Sequence, residues 1–115
     1  MLITTTQMDG ITIVLPPRHI IGEAIPELRQ ALTRQIDKSQ MPRIVIDFGR
    51  VHKMDSGGLG TLVNAYSLAK AKQGRIGVIN VGHNIKNLVV RSRLITFFEH
   101  FENKETAVSA FAGIG

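Results

Sequence analysis

A nearly continuous apolar run in the middle of the chain constrains the fold more than any other feature. Residues 43–48 read Arg-Ile-Val-Ile-Asp-Phe, with three β-branched residues in succession. A strand with one solvated face alternates apolar and polar residues. A continuous run is typical of a strand that is covered on both faces or lies at the centre of its sheet. The rest of the fold must therefore enclose this strand.

Helix and strand signals alternate on either side of this strand. Two β-branched runs, Thr4–Gln7 and Ile11–Leu15, are separated by a segment containing Asp9-Gly10, a strong hairpin signal. The next predicted elements are a helix between Gly22 and Lys38 and a helix that ends at Gln73-Gly74. The core-facing stripe of this second helix is Leu59, Leu62, Val63, Tyr66 and Ala69 or Lys70. The remaining predicted elements are a strand at Ile76–Val81, a short helix at Asn84–Arg91 capped by Asn84, a strand at Ile95–Phe98 and a helix at Lys104–Phe111. This order predicts an α/β fold with a mixed β-sheet, an opening hairpin and right-handed crossovers, with about five strands and four helices.

Length and composition place the chain among ordinary globular proteins. With 115 residues, 43% of them hydrophobic and 20% charged, we expect a single domain over residues 1–115. The absence of cysteine excludes disulfide bonds, thiolate catalysis and cysteine metal sites. No signal peptide and no apolar stretch of roughly 18 residues is present, so we expect a cytoplasmic protein without a membrane span.

The positive charge of the chain is concentrated in its middle. The net charge is +5, and residues 50–93 carry eight basic groups against one acidic group. This excess belongs either to a surface that faces a partner or to an ordinary solvated basic face. Composition alone leaves both interpretations open.

The most unusual motif follows the apolar strand directly. Residues 51–60 read Val-His-Lys-Met-Asp-Ser-Gly-Gly-Leu-Gly and lead into a predicted helix, with Ser56 as its N-cap or its first residue. Ligands and partners of open α/β sheets usually bind beyond the carboxyl ends of the strands. Each glycine in a helix costs roughly 1 kcal/mol relative to alanine, so close approach of another group is the expected reason for all three. Tight internal packing with an ordinary serine cap remains the alternative.

Several kinds of catalytic and ligand site fit this turn poorly. The glycine spacing matches neither the dinucleotide fingerprint nor the phosphate-binding loop, and the lysine of that loop is missing. Asp47 and Asp55 could form a carboxylate pair for acid–base catalysis or Mg²⁺ binding. We expect structural roles instead: Asp47 accepts hydrogen bonds from loop N–H groups, and Asp55 helps to fix the turn. The histidines do not have metal-ligand spacing: they are His19, His52, His83 and His100. We therefore expect a non-enzyme without a metal or cofactor.

Nucleic-acid binding is a second class that the basic excess suggests. The available cations are Arg50, Lys53, Lys70, Lys72, Arg75, Lys86, Arg91 and Arg93. Aromatic stacking platforms for bases are scarce, because the chain has no tryptophan and one tyrosine. We expect no nucleic-acid partner.

The sequence from Ile44 to Leu62 resembles the signature of the STAS domain family, the sulfate transporter and anti-sigma factor antagonist family. The likeness consists of an apolar strand ending in Asp47 and the turn Asp55-Ser56-Gly57-Gly58-Leu59, and it extends over nearly the whole chain. The chain is similar to the free-standing antagonists rather than to transporter-attached copies. The resemblance implies a STAS-like fold and partner switching, in which an anti-sigma factor serine kinase binds the unphosphorylated form and phosphorylates Ser56, and a phosphatase resets the cycle.

The resemblance also implies a partner-binding surface around the switch serine. We expect this surface to comprise His52, Lys53, Asp55, Ser56, Gly57, Gly58 and Thr61. The chain departs from the family pattern at Gly57, where a small hydroxyl residue is common, and at residues 16–23 before the first helix. The alternative role is a STAS subunit or scaffold of a transport or signalling assembly, in which serine phosphorylation is optional.

Overall fold

The protein is described by a computed structural model over residues 3–82 and 84–112. His83 of the predicted histidine set lies outside the described residues. The elements in chain order are β1 Thr4–Met8, β2 Ile11–Leu15, β3 His19–Ile20, α1 Ala24–Asp37, β4 Arg43–Asp47, β5 Lys53–Met54, α2 Ser56–Ala71, β6 Arg75–Ile79, α3 Leu88–Phe97, β7 Glu99–Phe101 and α4 Lys104–Ala112. In the described part of the chain, no helix has the length and apolar character needed to cross a membrane.

The main sheet has five strands in the order β1-β2-β4-β6-β7. The opening hairpin is the antiparallel part, and its turn residues Asp9 and Gly10 have φ angles of 53° and 80°. Both signs fit a two-residue turn whose twist matches that of the strands. The other neighbouring pairs in this sheet are parallel, with Ile44 of β4 opposite Thr12 of β2 and Ile76 of β6. The mixed α/β sheet predicted from the sequence is confirmed.

The two faces of the sheet are covered unequally. Helices α1, α2 and α3 pack on one face through Leu28, Leu32, Leu62, Ala65, Val90 and Leu94. On the other face, α4 is the only helix of the described residues, and it packs through Ala107, Val108 and Phe111 against Ile11, Ile13, Val45 and Ile79. The apolar run of β4 is therefore covered on both sides, as its sequence predicted.

Two arginine side chains join α4 to the sheet below it. Arg75 of β6 pairs with Glu99 of β7, with Nε 2.9 Å from Oε2, and its guanidinium carbon lies 4.4 Å from the centre of the Phe111 ring. The hydrogen bond to Glu99 raises the pKa of Arg75. Arg43 donates from Nη1 to the carbonyl oxygen of Phe111 at 2.9 Å. The end of α4 is thus held by two strands.

A second, two-stranded sheet was not predicted from the sequence. In this ribbon β3 runs parallel to β5, with His19 opposite Lys53 and Ile20 opposite Met54. The two apolar side chains are buried in the main core and the two basic side chains are exposed. Each strand has two residues, which is too short for periodicity to reveal.

The predicted boundaries around α3 were wrong. The helix expected at Asn84–Arg91 begins later, at Leu88, because Asn87 rather than Asn84 is its N-cap. Asn87 Oδ1 accepts hydrogen bonds from the N–H groups of Val89 and Val90 at 3.1 and 3.2 Å. The expected strand at Ile95–Phe98 is instead the end of this helix and its C-cap. The aromatic residues there pack on α2, with the Phe97 ring centre 4.8 Å from that of Tyr66. The strand that pairs with β6 starts at Glu99.

We expect Asn87→Ala to lower the free energy of unfolding by about 1 kcal/mol, because two N–H groups at the start of α3 lose their acceptor. Asn84→Ala is the matched control, since Asn84 is an exposed residue before the helix. Urea denaturation of both variants provides the measurement. Equal losses would contradict the assigned cap.

Candidate functional site

The candidate site lies where β4 and β6 end at the same edge of the sheet. Asp47, the last residue of β4, accepts hydrogen bonds at Oδ1 from the Gly49 N–H at 2.8 Å and from Asn80 Nδ2 at 2.9 Å. Asn80 follows β6 and has a positive φ of 58°. Asp47 thereby ties the two strand ends together and supports the loop that leads to Ser56. This is the structural role that the sequence predicted for it.

The β3–β5 ribbon carries the chain from this loop to the start of α2. The Arg18 carbonyl oxygen accepts from the N–H groups of His52 and Lys53 at 2.7 and 3.2 Å, and Met54 is buried beside Ile20. The residue after Met54 is Asp55, so the anchored ribbon fixes where α2 begins. The position of Ser56 is therefore set by both hydrogen bonds and apolar packing.

Asp55 is the N-cap of α2, and Ser56 is its first residue. Asp55 has extended backbone angles, φ −106° and ψ −175°, and its Oδ1 accepts from the Gly58 N–H at 3.0 Å. Its carbonyl oxygen accepts the first helical hydrogen bond, from the Leu59 N–H at 3.0 Å. The sequence predicted Ser56 as either the N-cap or the first residue of the helix, and the structure shows that it is the first residue. Asp55 is the N-cap, which agrees with its predicted role in fixing the turn.

The Ser56 side chain is exposed at the start of α2. Among the described residues, none forms a hydrogen bond with its hydroxyl. Backbone N–H groups at a helix start carry partial positive charge that favours an anion. The adjacent Asp55 carboxylate opposes that effect. The Ser56 residue is therefore accessible from solvent.

The three glycines of the turn serve different purposes. A Cβ atom on Gly58 would lie 2.9 Å from both the Cγ2 and the carbonyl oxygen of Ile20, which is closer than real Cβ contacts allow. A Cβ atom on Gly57 would lie 3.2 Å from Ile25 Cδ1, whereas one on Gly60 would meet nothing within 4 Å. The close approach expected from the sequence thus occurs at Gly58, and the approaching group is β3 of the same chain.

The predicted partner-binding residues divide into an exposed set and a buried set. The exposed residues are His52, Lys53, Asp55, Ser56 and Gly57. Gly58 and Thr61 are buried beneath them, and the Thr61 hydroxyl donates to the Gly57 carbonyl oxygen at 3.2 Å. These two residues support the turn from below.

Two basic residues beside the turn were missing from the sequence-based set. Arg18 and His19 are exposed on the ribbon next to His52 and Lys53, and Arg18 Nη2 lies 3.5 Å from His52 Nε2. We call these four residues the basic ribbon. Their side-by-side placement depends on the β3–β5 pairing, which no sequence signal announced. Across the described part of the chain, no three His, Asp or Glu side chains form a group that could hold a metal ion.

A family model for the STAS domain matches residues 3–107 of this chain. The chain belongs to the STAS domain family. This match covers every element from β1 through the first part of α4, including the turn at Ser56. The resemblance read from residues 44–62 is confirmed.

Known proteins with similar sequence or structure bear related names. BtrV of Bordetella bronchiseptica, named as a candidate anti-sigma factor antagonist, is 23% identical over 111 residues, which cover 96% of this chain and 95% of BtrV. The structure of an anti-sigma factor antagonist (STAS) domain protein from Planctomyces limnophilus has a TM-score of 0.81 at 16% identity and covers 96% of this chain and 98% of that one. The structure of the anti-sigma factor antagonist SpoIIAA in its unphosphorylated form has a TM-score of 0.77 at 18% identity and covers 97% of this chain and 99% of that one. The fold is therefore that of STAS domains.

We expect Gly58→Ala to destabilise the protein by about 1 to 3 kcal/mol, because the added methyl group forces β3 away from α2. The matched control is Gly60→Ala, two residues along the same helix, which should be neutral or stabilising by up to about 1 kcal/mol. Thermal unfolding of both variants provides the measurement. A stable Gly58→Ala variant would show that the contact with Ile20 relaxes without cost.

Proposed function

We propose that the protein is an anti-sigma factor antagonist that acts by partner switching. In the unphosphorylated form it binds an anti-sigma factor serine kinase, and phosphorylation of Ser56 releases it. The observation that carries this proposal is the exposed Ser56 hydroxyl at the first residue of α2, within a STAS fold. The names of BtrV and SpoIIAA support it.

The switch works through charge at a docking surface. A phosphate on Ser56 adds about −1.5 to −2 charges at pH 7 to a surface that would otherwise pack against the kinase. Docking would remove that charge from water, which is unfavourable, so the complex dissociates. Asp55 adds a further negative charge next to the phosphate. The result is loss of binding through electrostatics and desolvation.

The domain itself should keep its fold through the cycle. The Asp55 cap, the Gly58–Ile20 contact and the Thr61 hydrogen bond do not involve the Ser56 side chain. The helix N-terminus also stabilises a nearby anion. A serine phosphatase can then remove the phosphate from an intact domain and restore binding. In this cycle the protein is the substrate of two enzymes and has no catalytic role of its own.

The basic ribbon suggests what the kinase presents to this surface. Arg18 and Lys53 are exposed on the β3–β5 ribbon that leads into the Ser56 turn. A kinase brings the triphosphate of ATP to the serine, and the positive charges of Arg18 and Lys53 complement that negative charge. We place both partners and the switch in the cytoplasm, where sigma factors act on transcription.

Intact-mass spectrometry tests the proposal directly. The protein is incubated with ATP and each histidine-kinase-like ATPase encoded by its genome, and any added phosphate is mapped. Phosphate on Ser56 with one kinase, and none on a Ser56→Ala variant, is the expected result. Failure with every kinase would reject the switch and favour the alternative, a STAS subunit or scaffold of a transport or signalling assembly.

We expect Ser56→Asp to weaken binding to that kinase at least about tenfold, which corresponds to about 1.4 kcal/mol. Its melting temperature should stay within a few degrees of the parent, because acidic residues are tolerated in the first turn of a helix. The control is Ser67→Asp, which adds the same charge at an exposed position near the other end of α2. Calorimetric titration and thermal unfolding provide the measurements. Equal weakening by both variants would mean that net charge, rather than the turn, decides binding.

A further inference from the structure

Helix α3 exposes more apolar side chain than any other described element. Six large hydrophobic side chains are exposed in the described residues, and four of them belong to this ten-residue helix: Leu88 at 65%, Val89 at 63%, Phe97 at 43% and Ile95 at 41%. Exposed apolar residues that occur singly are normal on protein surfaces. A group on one short helix instead marks a contact with a partner or a membrane.

Apolar side chains occur on two opposite sides of the helix, and the protein covers one of these sides. Val90 and Leu94 are four residues apart, and both are buried against the core. Leu88 and Ile95 are seven residues apart, so they share the other side, which is exposed. Ser92 and Thr96 are exposed on this side as well. The outer side of α3 therefore combines large aliphatic side chains with small hydroxyl residues, and the aliphatic side chains remain largely exposed.

The charged residues within α3 and directly before it all have one sign. No aspartate or glutamate occurs between Asp55 and Glu99. Lys86 and Arg93 are exposed before and within the helix, while Arg91 is half-buried and donates to the Ile85 carbonyl oxygen at 3.4 Å. Aliphatic side chains bordered by Lys and Arg, without a carboxylate, complement a surface that is negative outside and apolar beneath.

We propose that the outer side of α3 binds the surface of an anionic phospholipid membrane. The apolar side chains enter the boundary between headgroups and acyl chains, and Lys86 and Arg93 contact the lipid phosphates. A lipid surface fits better than a protein surface, because the exposed apolar side chains on the outer side, Leu88, Val89 and Ile95, are aliphatic. Phe97 packs against Tyr66 of α2 instead. Energetic centres of protein interfaces are enriched in aromatic residues that fill pockets, whereas aliphatic and small hydroxyl side chains at a headgroup boundary need no fixed geometry.

The proposed membrane surface and the Ser56 turn lie on two neighbouring helices of the same face, because α2 and α3 contact each other. The residues that carry membrane binding belong to α3 and its approach, whereas the switch residue begins α2. Membrane binding through α3 therefore adds a location to the proposed switch and does not use the Ser56 side chain. A protein with these features binds weakly and reversibly, since one short helix inserts few apolar groups.

The absence of cysteine from these 115 residues allows a direct test in the intact chain. A cysteine introduced as Leu88→Cys is labelled with an environment-sensitive dye, and Met41→Cys is the matched control, since Met41 is 50% exposed on another part of the surface. Each is mixed with vesicles of phosphatidylcholine and phosphatidylglycerol in a three-to-one ratio (about 25% anionic lipid), and with pure phosphatidylcholine. We expect a blue shift for the dye at position 88 with anionic vesicles alone, and none at position 41.

Vesicle sedimentation separates apolar insertion from charge attraction. The double variant Leu88→Gln, Val89→Gln should lose about tenfold or more in partitioning to anionic vesicles, and Met41→Gln should lose nothing. Circular dichroism confirms that the exposed substitutions leave the fold intact. Equal binding by the parent and the double variant would overturn the proposal, because adsorption would then be electrostatic only. Absence of binding to anionic vesicles would also overturn it, and weaker kinase binding by the same variant would then assign α3 to a protein interface.

Discussion

The contact between Ile20 and Gly58 is the constraint on which the switch region depends. It brings the β3–β5 ribbon against the first turn of α2 at a distance that leaves no room for a side chain at position 58. Because Met54 is buried in the same place, the ribbon can hold the chain directly before the helix. The Asp55 cap then sets the first residue of α2, and the Ser56 side chain is left outside the packed region. A small apolar contact thus determines where the reactive hydroxyl is presented.

A charge switch requires a presentation site of this kind. If the turn were loosely packed, phosphate on Ser56 would disorder it, and lost binding would be inseparable from lost structure. Here the supporting interactions involve Asp55, Gly58 and Thr61, and none of these three contacts uses the Ser56 side chain. In the proposed switch, the surface therefore changes its charge by about two units while its shape persists. The basic ribbon beside it gives the surface a positive border that the modification partly neutralises.

The sequence predicted the parts of the fold in which one local pattern dominates. The apolar run of β4, the Asp9-Gly10 hairpin and the amphipathic α1 have signals that no tertiary contact overrides. Helix α3 was misjudged because it is apolar on both sides, so Ile95–Phe98 has no helical period and reads as a strand. The β3–β5 ribbon was missed for a different reason: two-residue strands form through pairing with a distant segment. Ser56 and Asp55 were found from the motif, whereas Arg18 and His19 join the site only through that pairing.

The unequal covering of the sheet has a consequence for the life of the protein in the cell. Three helices share one face, but among the described residues α4 is the sole cover of the other, which contains Ile11, Ile13, Val45 and Ile79. Detachment of α4 would therefore uncover that whole apolar face at once, while the three helices on the opposite face stayed in place. Such a face is what chaperones and quality-control proteases bind. The docking of this one helix thus decides whether the sheet stays hidden from them.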